Sequence, residues 1–156
     1  MIAVLQRVNR AAVSVEGAVV GEIGQGLLIL LGVAKGDTEE DATRLAAKIA
    51  ACRIFHDGEG KMNRSVRDIG GGALVISNFT LLADYHHGNR PSYFDAAAPE
   101  GANRLYLYFT ELLSKEVKVV EKGQFGAEML ISTECAGPVT ITMDSNVLKP
   151  KGERLS

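Results

Sequence analysis

Hydroxyl and amide side chains appear abruptly at Ser77, Asn78 and Thr80, directly after an uninterrupted apolar run at positions 73–76. Three glycines at positions 70–72 precede that run. A short aliphatic run bounded by glycine is typical of a strand covered on both faces, and loops after such strands often carry functional groups. The stretch predicts either a buried strand that delivers reactive polar groups to its end or an ordinary turn after a core strand.

A polar loop over residues 84–93 holds two of the three histidines, His86 and His87, together with Arg90 and two tyrosines. Loops of this length often carry function. Adjacent histidines cannot readily bind one metal ion, and no cysteine or carboxylate completes a familiar ligand spacing, so we predict no metal site. A cysteine-dependent enzyme that pairs Cys135 with either histidine stays open as an alternative.

The composition predicts one domain over residues 1–156, with a loosely held polar tail at 146–156. No apolar run approaches the roughly 20 residues of a membrane span, and the first residues read as a strand rather than as an export leader. Cys52 and Cys135 form no CxxC pair, which favours a cytoplasmic location and indicates no cofactor. A formal net charge of -2 leaves RNA binding undecided.

Hydrophobic periodicity predicts a strand-rich domain with two helices. The first helix begins at a capping box of Asp37 and Glu40 and ends near Cys52, and the second begins at Pro99 and ends near Lys115. Strands are predicted over residues 2–8, 12–15, 18–23, 27–33, 73–76, 117–121, 128–133 and 139–143. The predicted fold class is α/β: a mixed, strand-rich domain with layered, barrel-like β-sheets and two main helices.

Four motifs, in their order along the chain, carry a resemblance to a known family. They are Val4-Leu5-Gln6-Arg7-Val8, Ser77-Asn78-Phe79-Thr80, Arg90-Pro91-Ser92 and Gly137-Pro138-Val139-Thr140. Together they resemble the D-aminoacyl-tRNA deacylases, also called D-tyrosyl-tRNA deacylases, and the similarity covers nearly the whole chain. The resemblance implies a homodimer of β-rich subunits that binds the aminoacyl-tRNA 3′ end. It also implies hydrolysis of the ester between a D-amino acid and the terminal adenosine, with mischarged glycyl-tRNA as a further substrate.

The resemblance implies roles for nine residues. The catalytic residues are Ser77, Asn78, Phe79 and Thr80, the substrate-binding residues are Gly137, Pro138, Phe125 and Met129, and the supporting residue is Arg7. The Gly137-Pro138 pair corresponds to a cis-proline element that enters the partner subunit's site, where main-chain atoms fill the space of an L side chain. The Phe79 and Thr80 N–H groups correspond to an oxyanion hole. No base adjoins the Thr80 hydroxyl in sequence, which favours a backbone and substrate-assisted mechanism over a nucleophilic threonine.

Two positions depart from the family pattern. Asn78 stands where the family usually has glutamine, and its amide is one methylene shorter. Cys135-Ala136 stands where an asparagine-containing pair is usual, and a thiol cannot replace an amide as a two-way hydrogen-bonding group. These departures keep a second interpretation open, namely a non-catalytic or substrate-shifted relative that binds the tRNA end.

Overall fold

The computed structural model describes residues 1–154, in which one curled sheet of six strands carries most of the structure. The strands in chain order are β1 (Ile2–Val15), β2 (Ala18–Ile23), β3 (Gly26–Gly32), β4 (Phe55–His56), β5 (Met62–Arg64), β6 (Gly72–Ser77), β7 (Val119–Lys122) and β8 (Leu130–Asp144). The short strands β4 and β5 pair only with each other, and the sequence predicted no more than a turn there. No helix within the described range is long and apolar enough to cross a membrane.

The long strand β1 organises the sheet by pairing with three others. Its residues 2–8 pair with β3 and residues 11–15 with β2, while β8 covers the opposite edge. From β3 the sheet continues through β6 to β7, and these three strands are parallel. The sheet nearly closes, because a Cβ placed on Gly21 of β2 would lie 2.8 Å from the Lys122 carbonyl oxygen of β7. The predicted class, a strand-rich α/β domain with a barrel-like sheet and two helices, is confirmed.

Two hydrophobic clusters cover the two faces of the sheet. One lies between the sheet and the helices and includes Leu5, Ile29 and Val75, each fully buried. The other lies inside the curl and includes Leu28 and Leu74. Because successive strand residues point to opposite faces, β3 and β6 need apolar side chains at every position. The predicted burial of both strands on both faces is confirmed.

Two predicted breaks between strands are wrong. Residues 2–8 and 12–15 belong to the single strand β1. The strands predicted at 128–133 and 139–143 both fall in the single strand β8, which begins at Leu130. The β1–β8 pairing shifts register between Gln6 and Val8 and again between Val8 and Arg10. Such bulges change which face a side chain points to without ending the strand, so an interrupted alternation looks like a turn in the sequence.

The two helices lie over one face of the sheet and pack on each other. They are α1 (Glu39–Ala50) and α2 (Pro99–Ser114). Pro99 begins α2 as predicted, since the first helical position needs no N–H donor. The predicted capping box of α1 is wrong by one residue: Thr38 is the N-cap, and its N–H donates to Asp41 Oδ2 at 3.0 Å. The Asp37 carboxylate accepts instead from the Ala34 N–H at 2.6 Å.

The first part of the predicted loose tail is anchored to α1. Residues 145–148 form a 3₁₀ turn, and the hydroxyl of the buried Ser145 donates to Asp41 Oδ1 at 3.0 Å. Lys149 places its ammonium group 3.3 Å from the same oxygen, and Leu148 packs against the helix-side cluster. Sequence polarity alone gave no sign of these contacts. Residues 155 and 156 of the predicted tail lie outside the described range.

The buried carboxylate of Asp41 makes stability depend on pH. Burial alone would raise its pKa, but hydrogen bonds from Thr38 and Ser145 and the charge of Lys149 hold the pKa below the ordinary value of 3.8. The ionised form therefore stabilises the fold above the unfolded-state pKa, and this contribution is lost as pH falls through the lower folded-state pKa. We expect Asp41→Asn to lower the free energy of unfolding by about 2 kcal/mol at pH 7, as for loss of a hydrogen-bonded buried charge. Urea unfolding should show that the difference in the free energy of unfolding between wild type and Asp41→Asn becomes smaller below pH 4. A difference that stays constant with pH would contradict this assignment.

Candidate active site

Strand β6 ends at Ser77, which pairs with Leu31 of β3. The Asn78 N–H donates to the Leu31 carbonyl oxygen at 2.8 Å and so extends the ladder by one residue. A 3₁₀ turn over Phe79–Leu82 follows. Gly32 makes room for it, because a Cβ on Gly32 would lie 3.1 Å from the Asn78 carbonyl oxygen and closer still to the turn's last side chain. Packed strands therefore fix the position of the predicted catalytic stretch.

The amide groups at the start of this turn are unused. Within residues 1–154, no acceptor outside the turn pairs with the N–H of Phe79 or Thr80, and the first amides of a helical turn have none inside it. The Thr80 hydroxyl, in contrast, donates to Asn78 Oδ1 at 2.5 Å. The turn thus offers two backbone donors beside a hydroxyl group whose proton is already engaged.

A cleft of about 810 Å³ opens beside the turn. Ser77, Asn78 and Phe79 line it together with Phe125 and Met129, so five of the nine predicted site residues meet in one place. The Thr80 side chain is exposed and does not line the cleft. The remaining wall is mainly apolar and includes Leu31, Val33, Ala97, Ala102 and Tyr106. An apolar cleft with a few polar groups at one end is the usual form of a site for a small organic group.

Tyr106 of α2 was missed as a site residue. Its hydroxyl donates to the carbonyl oxygen of Val75 in β6 at 2.8 Å, and burial raises the pKa of Tyr106 to about 12. Its ring centroid lies 6.0 Å from that of Phe125. Tyr106 therefore ties the helix to the strand that carries the turn and also supports the Phe125 wall. Its helical spacing from Ala102 and Phe109 was the available signal.

Gly137 and Pro138 lie in β8 and do not line the cleft. The peptide bond between them is cis, and Gly137 has a φ of +126°. Arg7, which is 9% exposed, donates through Nε to the Ala136 carbonyl oxygen at 3.1 Å and through Nη1 to that of Ile54 at 2.9 Å. Arg7 thus holds the residue directly before the pair, and its supporting role stays a prediction.

The cysteine and histidine candidates do not come together. Cys135 is exposed and donates through Sγ to Gln6 Oε1 at 2.7 Å. His86 contacts Asp84 instead, with Nδ1 at 2.5 Å from Oδ1. No hydrogen bond joins Cys135 to a histidine among residues 1–154, so the geometry does not support a cysteine-dependent site. Over the same residues, no three His, Cys, Asp or Glu side chains cluster as metal ligands would.

Comparison with known proteins points to one family. The family model for D-Tyr-tRNA(Tyr) deacylase matches residues 4–144. A D-aminoacyl-tRNA deacylase of Deinococcus deserti is 57% identical over 92% of this chain and 99% of its own length. A protein of the same name from Thermosipho melanesiensis is 53% identical over 93% of this chain and 97% of its own.

A solved structure has a similar fold. It is named c-Myc DNA Unwinding Element Binding Protein, and it superposes with a TM-score of 0.87 and 37% identity over 92% of this chain and 98% of that one. None of these matches supports the interpretation as a non-catalytic relative, since both bacterial relatives carry the name of the enzyme. On this evidence the chain belongs to the D-Tyr-tRNA(Tyr) deacylase family.

Proposed function

We propose that this protein hydrolyses the ester bond of D-aminoacyl-tRNA and releases a free D-amino acid and tRNA. The observation that carries the proposal is the end of β6, where Ser77, Asn78 and Phe79 line an apolar cleft and the turn that follows has two backbone N–H groups without an acceptor outside it, in a chain of this family. Ester hydrolysis requires donors for the oxygen that becomes negatively charged in the transition state. The N–H groups of Phe79 and Thr80 supply them.

The reaction needs no covalent intermediate. A water oxygen attacks the ester carbonyl carbon, the carbonyl oxygen becomes an oxyanion that accepts from the Phe79 and Thr80 N–H groups, and the carbon–oxygen bond to the ribose then breaks. The proton lost by the water is returned to the departing 3′ oxygen, a transfer for which the neighbouring ribose 2′-hydroxyl is well placed. The Thr80 hydroxyl donates to Asn78 and has no base beside it, so Thr80 acts through its backbone.

Selection of the D enantiomer rests on a second copy of the chain. Gly137 and Pro138 lie away from their own subunit's cleft, which supports a homodimer in which the pair enters the partner's site. Their carbonyl oxygens then accept from the substrate's α-amino group, and main-chain atoms fill the space of an L side chain. Glycine has no side chain to exclude, so glycyl-tRNA is accepted as well.

Phe125 and Met129 serve as the wall for the terminal adenosine. Both line the cleft, and the ring of Phe125 lies 6.0 Å from that of Tyr106. An aromatic ring and a polarisable thioether suit the face of a purine. We place the reaction in the cytoplasm, where charged tRNA is used.

Single-turnover hydrolysis of matched D- and L-tyrosyl-tRNA tests the proposal, with glycyl-tRNA as the third substrate. We expect rapid loss of the D ester and of glycyl-tRNA, with the L ester spared. If the D ester survives while the tRNA end binds, the protein is a binding relative. If the L ester is cleaved as fast as the D ester, exclusion by the Gly137-Pro138 pair is wrong.

A further inference from the structure

An exposed aromatic ring at the mouth of the cleft has no role in the fold. Phe94 is 76% exposed, although large aromatic side chains usually bury most of their area. The ammonium group of Lys35 lies 3.2 Å from the centre of its ring, a cation–π contact that occupies one face. Both residues line the cleft, and none of the motifs that carry the family resemblance includes them. We call them the rim pair.

The backbone holds the rim pair in place. The Lys35 N–H donates to the Asp95 carbonyl oxygen at 2.9 Å, and the Ala97 N–H donates to that of Val33 at 2.9 Å. These two bonds join the segment that follows β3 to the segment that precedes α2. The Phe94 N–H donates in addition to the Ser92 hydroxyl at 3.3 Å. Because these hydrogen bonds already hold the segment that carries Phe94, a ligand that binds to the ring has little entropic cost of ordering to offset.

The volume of the cleft indicates how much of a bound RNA end fits inside it and how much lies outside, near the rim pair. At about 810 Å³ the cleft has the size of a site for one small organic group, here the terminal adenosine with its amino acid. An RNA strand that ends in this cleft leaves past the exposed residues of its lining, of which Phe94 has the most exposed aromatic ring. Proteins bind single-stranded RNA by stacking bases on aromatic rings and by placing cations against phosphates.

We propose that the rim pair binds the nucleotide immediately before the terminal adenosine of the tRNA. The base stacks on the open face of Phe94, and the Lys35 ammonium contacts the adjoining phosphate. This inference rests on the proposed function, and it adds a binding subsite outside the cleft that contains the reacting ester. The rim pair strengthens binding of the RNA strand but takes no part in the chemical step.

Two substrates separate this subsite from the catalytic cleft. D-Tyrosyl-tRNA contains the preceding nucleotide, and 3′-O-D-tyrosyl-adenosine lacks it. We expect Phe94→Ala to lower kcat/KM for the tRNA about tenfold, the size of one lost base–aromatic stack, and to leave kcat/KM for the adenosine ester unchanged. Tyr85→Ala is the matched control, since Tyr85 is 75% exposed on the same loop and does not line the cleft.

Salt dependence tests the contribution of Lys35. Loss of one phosphate contact to a single strand reduces the slope of log binding constant against log salt by about 0.7. We expect this reduction for Lys35→Met with an uncharged RNA oligonucleotide that ends in the tRNA 3′ sequence, and no change of slope for Phe94→Ala. Lys61→Met is the control, because Lys61 is exposed and pairs with Glu59 away from the cleft.

The outcomes distinguish this proposal from the proposed function. If Phe94→Ala lowers kcat/KM equally for both substrates, or for neither, the subsite is wrong while the deacylase function stands. If the wild-type protein hydrolyses neither substrate, the proposed function is wrong. The affinities of wild type and Phe94→Ala for the RNA oligonucleotide then still test whether a base stacks on Phe94. Equal affinity of these two proteins for the oligonucleotide would overturn the subsite.

Discussion

Replacement of Thr80 by proline is expected to slow single-turnover hydrolysis of D-tyrosyl-tRNA by about 10²–10³-fold, the usual effect of removing one oxyanion donor. Proline removes the Thr80 N–H, which has no acceptor outside its turn within residues 1–154, so no backbone hydrogen bond to another segment is lost. It also removes the hydroxyl that donates to Asn78, a loss that the control below shares. The first residues of a helical turn are also where proline is best tolerated. The rate should be measured with enzyme in excess, so that chemistry and not product release is observed.

The matched control is Thr80→Val, which has nearly the same shape and keeps the N–H but lacks the hydroxyl. We expect it to react within about threefold of wild type, a loss of less than 1 kcal/mol in transition-state stabilisation, because the Thr80 hydroxyl donates to Asn78 and not to the substrate. Equal thermal unfolding and equal tRNA binding of the two variants would show that both fold. Equally severe loss in Thr80→Val and Thr80→Pro would contradict this assignment, because it would show that the hydroxyl, which both variants lack, is required.

The second large effect is recovery of activity from two inactive proteins. Gly137→Ala should lack activity, since a Cβ on Gly137 would lie 2.8 Å from the Val139 amide nitrogen and 3.1 Å from an Arg7 guanidinium nitrogen, at a φ of +126° that L side chains rarely adopt. When it is mixed with Thr80→Pro and the subunits exchange, a heterodimer contains one site with both defects and one with neither. Random pairing should restore about a quarter of the wild-type sites, because half of the dimers are mixed.

Gly60→Ala provides the control for backbone strain. Gly60 also has a positive φ, at +78°, but a Cβ there would meet no atom within 4 Å. Its activity should equal that of wild type, which separates displacement of the Gly137-Pro138 element from a general cost of alanine at positive φ. Mixtures that stay inactive after demonstrated subunit exchange would exclude a site shared between subunits.

The sequence was most informative about buried strands and the turn after them. Glycine or an apolar residue stands at every position of β3 and at every position of β6 before Ser77, a pattern that predicts burial on both faces. The polar residues from Ser77 onward marked where the buried strand ends. The same reasoning failed in β1 and β8, where bulges interrupt the alternation without ending the strand. Periodicity reports which face a side chain points to, and a bulge changes that face locally.

The sequence could not predict contacts between distant segments. Tyr106 reads as one more residue of an amphipathic helix, and only the assembled fold shows its hydroxyl at the Val75 carbonyl oxygen. Lys35 and Phe94 belong to separate loops that two backbone hydrogen bonds bring together. The hydrogen bond that the Thr80 hydroxyl donates to Asn78 Oδ1 also depends on local geometry, which residue types do not specify.

The pairing of β1 with β8 has a consequence for how the protein is made. Ile2 pairs with Asp144, so one edge of the first strand stays unpaired until almost the whole domain has left the ribosome. At synthesis rates of about 5–20 residues per second, that edge stays unpaired for roughly 7–30 seconds. An open strand edge invites pairing with other chains. The same late strand carries Gly137 and Pro138, so the nascent chain completes its sheet and acquires the pair proposed to select D-amino acids in one step.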